Sequence, residues 1–215
     1  MTRLVLFFFL ICCAATSHAG KPDSASHISH AVLTSTGRAK ISYDSARLTT
    51  GNFKLHHFYV LKGLDAIKEQ PPGIYTVQLT EMLGSDYTVQ RQFDSAQFYL
   101  SSALSLAGKL HREDLRQNIL ANIGRLNAEK GDYPAALQTQ LGCLSYWEKE
   151  KDTFRIARTE KSVADVYAMM GRPAESLPYL EHAYSRLAHF RGLPEEGKIE
   201  KLERQRLTSY VLYSQ

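Results

Sequence analysis

Cysteine is scarce. Of three in the chain, Cys12 and Cys13 sit together in an apolar run near the N-terminus, and only Cys143 stands in the body. If the first two leave with a cleaved leader, no internal disulfide can form, and paired-cysteine metal or redox motifs are excluded. Charge of one sign is not in excess either: 26 Lys and Arg against 22 Asp and Glu give a formal +4, with acids and bases alternating. A nucleic-acid footprint gathers bases on one face and keeps acids away, so no nucleic-acid partner is expected. The sequence holds no phosphate-cradling loop, nucleophile elbow or zincin helix, and each of those chemistries needs its motif. What is present is ordinary globular material, 44% hydrophobic and 10% aromatic, enough for a proper core.

No apolar run reaches the length of about 20 residues that a membrane-spanning helix needs. The longest, LVLFFFLICCAA at residues 4–15, follows Arg3 and precedes Ser17-His18-Ala19. A positive end, a short apolar stretch and small residues before a cut ahead of Gly20 make residues 1–19 an export signal. A periplasmic or secreted protein without an integral membrane span is therefore expected. Leu10-Ile11-Cys12-Cys13 partly resembles a lipoprotein anchor site, with Cys12 where a small residue belongs. Residues 20–36 are a polar lead-in rich in Ser, His and Thr.

Beyond the lead-in a signature recurs every 40 residues. Phe53, Phe93, Tyr133 and Pro173 share one phase, and Gly51, Gly131 and Gly171 precede three of them by two positions. Earlier in the same phase stand Asp44, Gly84, Gly124 and Ala164, then Arg47, Tyr87, Asn127 and Tyr167. A small-residue slot after the turn holds Ala96, Ala136 and Ser176, with His56 in the first copy. A fixed period of this size means stacked helical hairpins, an all-α solenoid whose usual work is holding other molecules. The hairpins fall at about 37–68, 74–109, 114–150 and 154–190, the first degenerate, and Pro71-Pro72-Gly73 separates it from the next. A capping helix at about 195–213, striped by Ile199, Leu202, Leu207, Tyr210 and Val211, completes the domain 37–213.

Apolar residues at three-and-four spacing support each helix: Phe93, Ala96, Leu100, Ala103 and Leu104 stripe one face. Gly131 and Gly171 suit a left-handed residue just past a helix end, and Pro134 and Pro173 open the helices that follow. The small residues have a steric role, since antiparallel helices approach closely only where bulk is missing. On this reading Gly84, Gly124 and Ala164 lie opposite Ala96, Ala136 and Ser176, and the aromatics lock adjacent hairpins. Pro178 falls inside a helix and is expected to bend or break it. Cys143 shares a slot with Gly63, Ala103 and Ala183, so it belongs to the core.

These residues resemble the tetratricopeptide repeat. The match runs through Leu83-Gly84, Tyr87, Phe93 and Ala96, then Ile123-Gly124, Gly131, Tyr133 and Ala136, then Val163-Ala164, Tyr167, Gly171 and Ser176. The usual repeat has about 34 residues, so at 40 either the helices or the turns must be longer. Repeats of this length look like those of peptide-sensing bacterial regulators and of exported sensory segments of signalling proteins. The resemblance implies a non-enzymatic scaffold that binds a protein or peptide, without cofactor or metal. It also admits a sensory segment lacking an output module.

The family lines its concave groove with first-helix residues that point away from the partner helix. In this register those are Gln78, Glu81, Ser85 and Thr88, then Asn118, Arg125 and Glu129, then Arg158, Lys161 and Asp165. Arg125, Arg158 and Lys161 make a basic cluster suited to a carboxylate or acidic peptide. The alternative of a metal-dependent protein rests on His56-His57, yet adjacent helical residues diverge by about 100° and cannot ligate one ion from that helix alone. Lead-in histidines His27 and His30 have no acidic or thiol companion. Because Ala136 fills a slot with no spare volume, Ala136→Leu is expected to cost about 1–3 kcal/mol by overpacking, read as a lower midpoint in urea unfolding.

Overall fold

The computed structural model describes residues 34–188, within the unit of the chain that begins at Leu33. The export signal, the lead-in before Thr34 and the expected capping helix lie outside the described residues. Among the described residues the regular structure is entirely helical: α1 (Ser35–Leu48), α2 (Phe53–Ile67), α3 (Ile74–Val89), α4 (Phe93–Lys109), α5 (Glu113–Glu129), α6 (Tyr133–Glu150), α7 (Thr153–Met169) and α8 (Pro173–Ala188). Consecutive helices pack most extensively in the pairs α1/α2, α3/α4, α5/α6 and α7/α8, and each pair packs on the next. The odd-numbered helices also touch one another in sequence. They form an inner layer, and the even-numbered helices an outer one.

The turns explain the period. From α3 to α7 each helix ends in one left-handed residue, at Arg91 (φ 59°), His111 (53°), Gly131 (87°), Lys151 (58°) and Gly171 (71°). Each is followed by an N–H that reaches back five residues: Gln92 to the Tyr87 carbonyl at 2.9 Å, Arg112 to Ala107 at 3.1 Å, Asp132 to Asn127 at 2.9 Å, Asp152 to Trp147 at 3.2 Å and Arg172 to Tyr167 at 2.9 Å. This bond is the mark of a Schellman motif, which satisfies orphan carbonyls at a helix end. At two turns the next residue caps the new helix: Asp132 Oδ1 accepts from Ala135 N–H at 3.2 Å and Asp152 Oδ1 from Arg155 N–H at 3.0 Å. The 40-residue repeat is thus two equal halves with one turn geometry. The extra residues lie in the helices and not in the turns, each helix gaining nearly one turn.

The first hairpin departs from this scheme. Gly51 shares the turn phase with Gly131 and Gly171 but is not left-handed, and the α2–α3 connection runs over six residues through Pro71 and Pro72. Asn52 caps α2 by accepting from Leu55 N–H at 3.2 Å.

Close approach within a hairpin does depend on missing bulk, though the partner differs from the one expected. A Cβ on Gly84 would stand 2.7 Å from Leu100 Cγ, and one on Gly124 would stand 2.8 Å from Gln140 Nε2. Ala164 clusters with Leu180. A residue seven positions before the left-handed turn residue faces one about nine positions after it in an antiparallel pair, which selects Leu100, Gln140 and Leu180 and passes over Ala96, Ala136 and Ser176. Those slots admit the following hairpin instead: Ala96 shares a core cluster with Leu126, and Ala136 one with Ala128 and Val166. Tyr87 and Tyr167 stack on Tyr99 and Tyr179 of their own hairpins, with ring centroids 5.3 Å and 5.8 Å apart. They therefore tie the two helices of one hairpin together, and the expected lock between adjacent hairpins is also present where Tyr87 meets His57 edge-on at 6.2 Å and Tyr133 packs on the cluster containing Val166.

Two further features were not anticipated in this form. Helix α8 continues through Pro178 without a break. Gln140 is 1% exposed in a slot that holds Val60, Leu100 and Leu180 elsewhere; its Nε2 donates to the Ala121 carbonyl at 2.8 Å, while Oε1 has no partner among the described residues. The left-handed residues give a direct test of the turn. Lys151→Gly relieves a side chain from a conformation that disfavours it and is expected to gain about 0.5–1 kcal/mol, whereas Gly131→Ala should lose about 1 kcal/mol. Urea midpoints of the two variants should move in opposite directions.

Candidate partner-binding groove

The inner helices leave a concave groove of about 810 Å³. Helix α1 contributes Tyr43 and Arg47, α2 Phe53 and His56, α3 Gln78, Glu81, Met82 and Ser85, α5 Asn118, Asn122 and Arg125, and α7 Phe154, Arg155 and Arg158. Of the positions read from the register, Gln78, Glu81, Ser85, Asn118, Arg125 and Arg158 come together here. Lys161 and Asp165 do not line this cavity; they pair with each other at 2.6 Å farther along α7. Thr88 is buried and donates to the Gly84 carbonyl at 3.0 Å, and Glu129 pairs with Arg91 at 3.0 Å.

Hydrogen bonds cross the inner layer at one-repeat intervals. Asn122 Nδ2 donates to Glu81 Oε1 at 2.7 Å and Arg125 Nη2 to Ser85 Oγ at 2.9 Å, joining α5 to α3, while Gln78 Nε2 donates to the Tyr43 hydroxyl at 3.2 Å. Glu81 is the acid at the middle of this wall. Burial pushes its carboxyl up to about 7, against the opposing pull of Arg158, Asn122, Arg125 and Arg155. Arg125 is driven the other way, held below its ordinary value by burial and by the like charge of Arg158.

The arginines differ in what holds them. Arg112 grips Asp114 through two bonds of 2.8 Å and 2.7 Å. Arg155 lies 4.4 Å above the Trp147 ring, with Nη1 3.6 Å from Asp152 Oδ2. Neither the Arg125 nor the Arg158 guanidinium closes an ion pair among the described residues. The register missed Asn122, Arg155, Arg47 and Arg112. Asn122 was within reach of the helical period, since it stands one repeat after Met82, on the same face as Gln78, Glu81 and Ser85.

At the α1 end of the groove a trio of His56, Asp86 and the half-buried His57 departs from the repeat. The slot pair that holds Ala96 with Leu126, and Ala136 with Val166, holds His56 with Asp86 at the first junction. Side chains of both are nearly buried, 11% and 6% exposed. His56 Nδ1 donates to the Ala46 carbonyl at 2.9 Å and Nε2 faces Asp86 Oδ1 at 3.3 Å. Both partners accept only, so the ring needs both protons. Burial pushes the His56 value down, yet the Asp86 and Ala46 bonds outweigh it and leave the value raised. His57 Nδ1 donates to the other oxygen, Asp86 Oδ2, at 2.9 Å. The adjacent histidines thus diverge as expected but still meet one carboxylate, each taking one oxygen. Cys143 is 1% exposed, and burial pushes its thiol up to about 11.

A histidine with a raised folded value stabilises fully below its unfolded value near 6.5, and the contribution fades as pH rises through the folded value. The stability gap between the wild type and Asp86→Asn should therefore be widest near pH 6 and narrow toward pH 9. Urea unfolding across that range checks it; a constant gap would mean that His56 is not held as the imidazolium.

Comparisons with known proteins agree with this geometry. Residues 115–188 match the family described as tetratricopeptide repeat. Among solved structures, the nearly identical TPR-like repeats of a Podosopora anserina protein assigned as a kinesin light chain superpose with a TM-score of 0.54 at 14% identity, covering 82% of this chain and 94% of that one. A singly substituted form of those same repeats gives 0.54 at 15% identity, with 83% and 94% covered. At that identity the likeness concerns the fold. No curated protein matches the chain. The third and fourth hairpins thus carry the tetratricopeptide-repeat family match, and the helices from α1 to α8 pack as a TPR-like solenoid.

Proposed function

We propose that the chain is an exported scaffold that holds an acidic segment of a protein partner in its concave groove. Tetratricopeptide-repeat solenoids are built for protein interaction, and this groove is lined by residues from all four inner helices. The observation that carries the reading is the pair Arg125 and Arg158. Both line the groove, and neither is neutralised by a carboxylate at ion-pair distance among the described residues. A planar guanidinium takes a carboxylate by two parallel bonds, so two of them facing one space favour an anionic group. The polar wall of Gln78, Ser85, Asn118 and Asn122 offers donors and acceptors to a peptide backbone. No helix of the described residues is long and apolar enough to cross a membrane, and residues 1–19 carry the features of an export signal.

The test is capture in the native cells. Cross-linking the tagged protein should recover a specific partner whose yield falls at least tenfold in Arg125→Ala/Arg158→Ala and holds in Lys161→Ala, where the changed residue sits outside the groove. Capture that survives the double change would sink the groove assignment.

A further inference from the structure

We infer that Glu81 couples occupation of the groove to uptake of a proton: an anionic carboxylate held by Arg125 and Arg158 sits beside the Glu81 side chain and drives it to the neutral acid. The inference rests on the groove being the partner site and adds how that site is regulated. Its geometric basis is the placement of Glu81. The carboxyl, on α3, accepts from Asn122 Nδ2 at 2.7 Å and lines the same groove as Arg125 of α5 and Arg155 and Arg158 of α7. It closes no ion pair of its own among the described residues, so the positive field of the groove is only partly cancelled from within.

The charged and titratable surroundings come from every packed element. Helix α1 offers Tyr43 and Arg47, α2 His56, α3 itself Asp86, α5 Arg125, and α7 Arg155 and Arg158, while Asp114 and Arg112 lie at the start of α5 and Asp152 at the start of α7. Of these, Arg158, Arg125 and Arg155 are the ones that favour ionised Glu81. Asp86 is engaged by His56 and His57, and Asp114 by Arg112. An incoming carboxylate would claim the charge of Arg158 and Arg125 and add a like charge next to Glu81. Both effects raise the proton affinity of a group that burial already brings to titrate near neutrality. Linkage is reciprocal, so what the anion does to the proton, the proton does to the anion. The groove binds acidic segments more tightly as pH falls.

The probe is an acetylated and amidated tetraglutamate peptide, which stays ionised between pH 6 and 8, titrated calorimetrically into the wild type, Glu81→Gln and Arg125→Ala/Arg158→Ala. Wild-type affinity is expected to be up to about tenfold higher at pH 6 than at pH 8, the most one proton can give over the range in which Glu81 titrates. Glu81→Gln should bind at both pH values with the affinity the wild type shows at pH 6. Titrations of the wild type at pH 7 in two buffers of different ionisation enthalpy should show net proton uptake, a readout that does not depend on the variant folding. Wild-type binding that is flat with pH, proton-neutral, or whose slope survives in Glu81→Gln would overturn the coupling and leave the groove reading standing, provided the double arginine variant abolishes binding. Failure of the peptide to bind any form at either pH would overturn both.

Discussion

A helix can stop and restart within two or three residues only if one residue turns left-handed and lets the next N–H reach back over the helix end. This chain meets that constraint at five places spaced evenly from Arg91 to Gly171. Everything else is downstream of it. Short, identical turns force neighbouring helices to run antiparallel, equal helix lengths keep the hairpins in register, and the register stacks the odd-numbered helices side by side. Only two of the five positions are glycine, so three turns hold a side chain in a conformation it resists. Packing of the long helices on either side must hold those residues in place.

The same regularity makes departures informative. At each junction between hairpins, one slot from an outer helix meets one slot from the next inner helix. Two of the junctions fill the pair with apolar side chains, and the first fills it with an imidazole and a carboxylate. Burying such a pair is tolerable only because each polar atom finds a partner: the Ala46 carbonyl, His57, and the two oxygens of Asp86. In Gln140 the accounting is incomplete, since one of its two polar ends is left without a partner among the described residues. The missing Cβ of Gly124 is what gives that amide room. Repetition sets the frame, and the particular character of each hairpin lies in what breaks it.

How much of this could be read from residue order follows from the range of the forces involved. The helices, the fold class, the inert burial of Cys143 and the small slots were legible because they depend on local spacing that the sequence displays directly. The partner of Gly84 was misread because pairing across a hairpin depends on where the turn sits, and Arg91 gives no sign of being left-handed. Six groove positions gather as the register implied, yet Arg155 and Asn122 escaped a reading tied to one stripe per helix. The lining is broader than such a stripe, since neighbours in sequence such as Glu81 with Met82 and Phe154 with Arg155 both reach the concave side. His56 and His57 were judged as a pair on one helix, which was correct in angle and incomplete in outcome. Their common partner lies on another helix, at a position that looks like an ordinary polar residue until it is compared with Ala46, Leu126 and Val166.

The polar seam at the first junction has a mechanical meaning. In a linear stack each unit is held only by its neighbours, so total stability divides into unit terms and coupling terms between them. At two couplings the slot pair is apolar, while the one that joins α1 and α2 to the next hairpin buries a histidine and a carboxylate in that slot. The coupling of the first hairpin is therefore the one whose slot pair depends on the charge of His56. That joint is also where Tyr43, Arg47 and Phe53 supply the far wall of the groove. Weakening that coupling as His56 loses its proton would reach those groove residues first and leave in place the hairpins that carry Arg125 and Arg158.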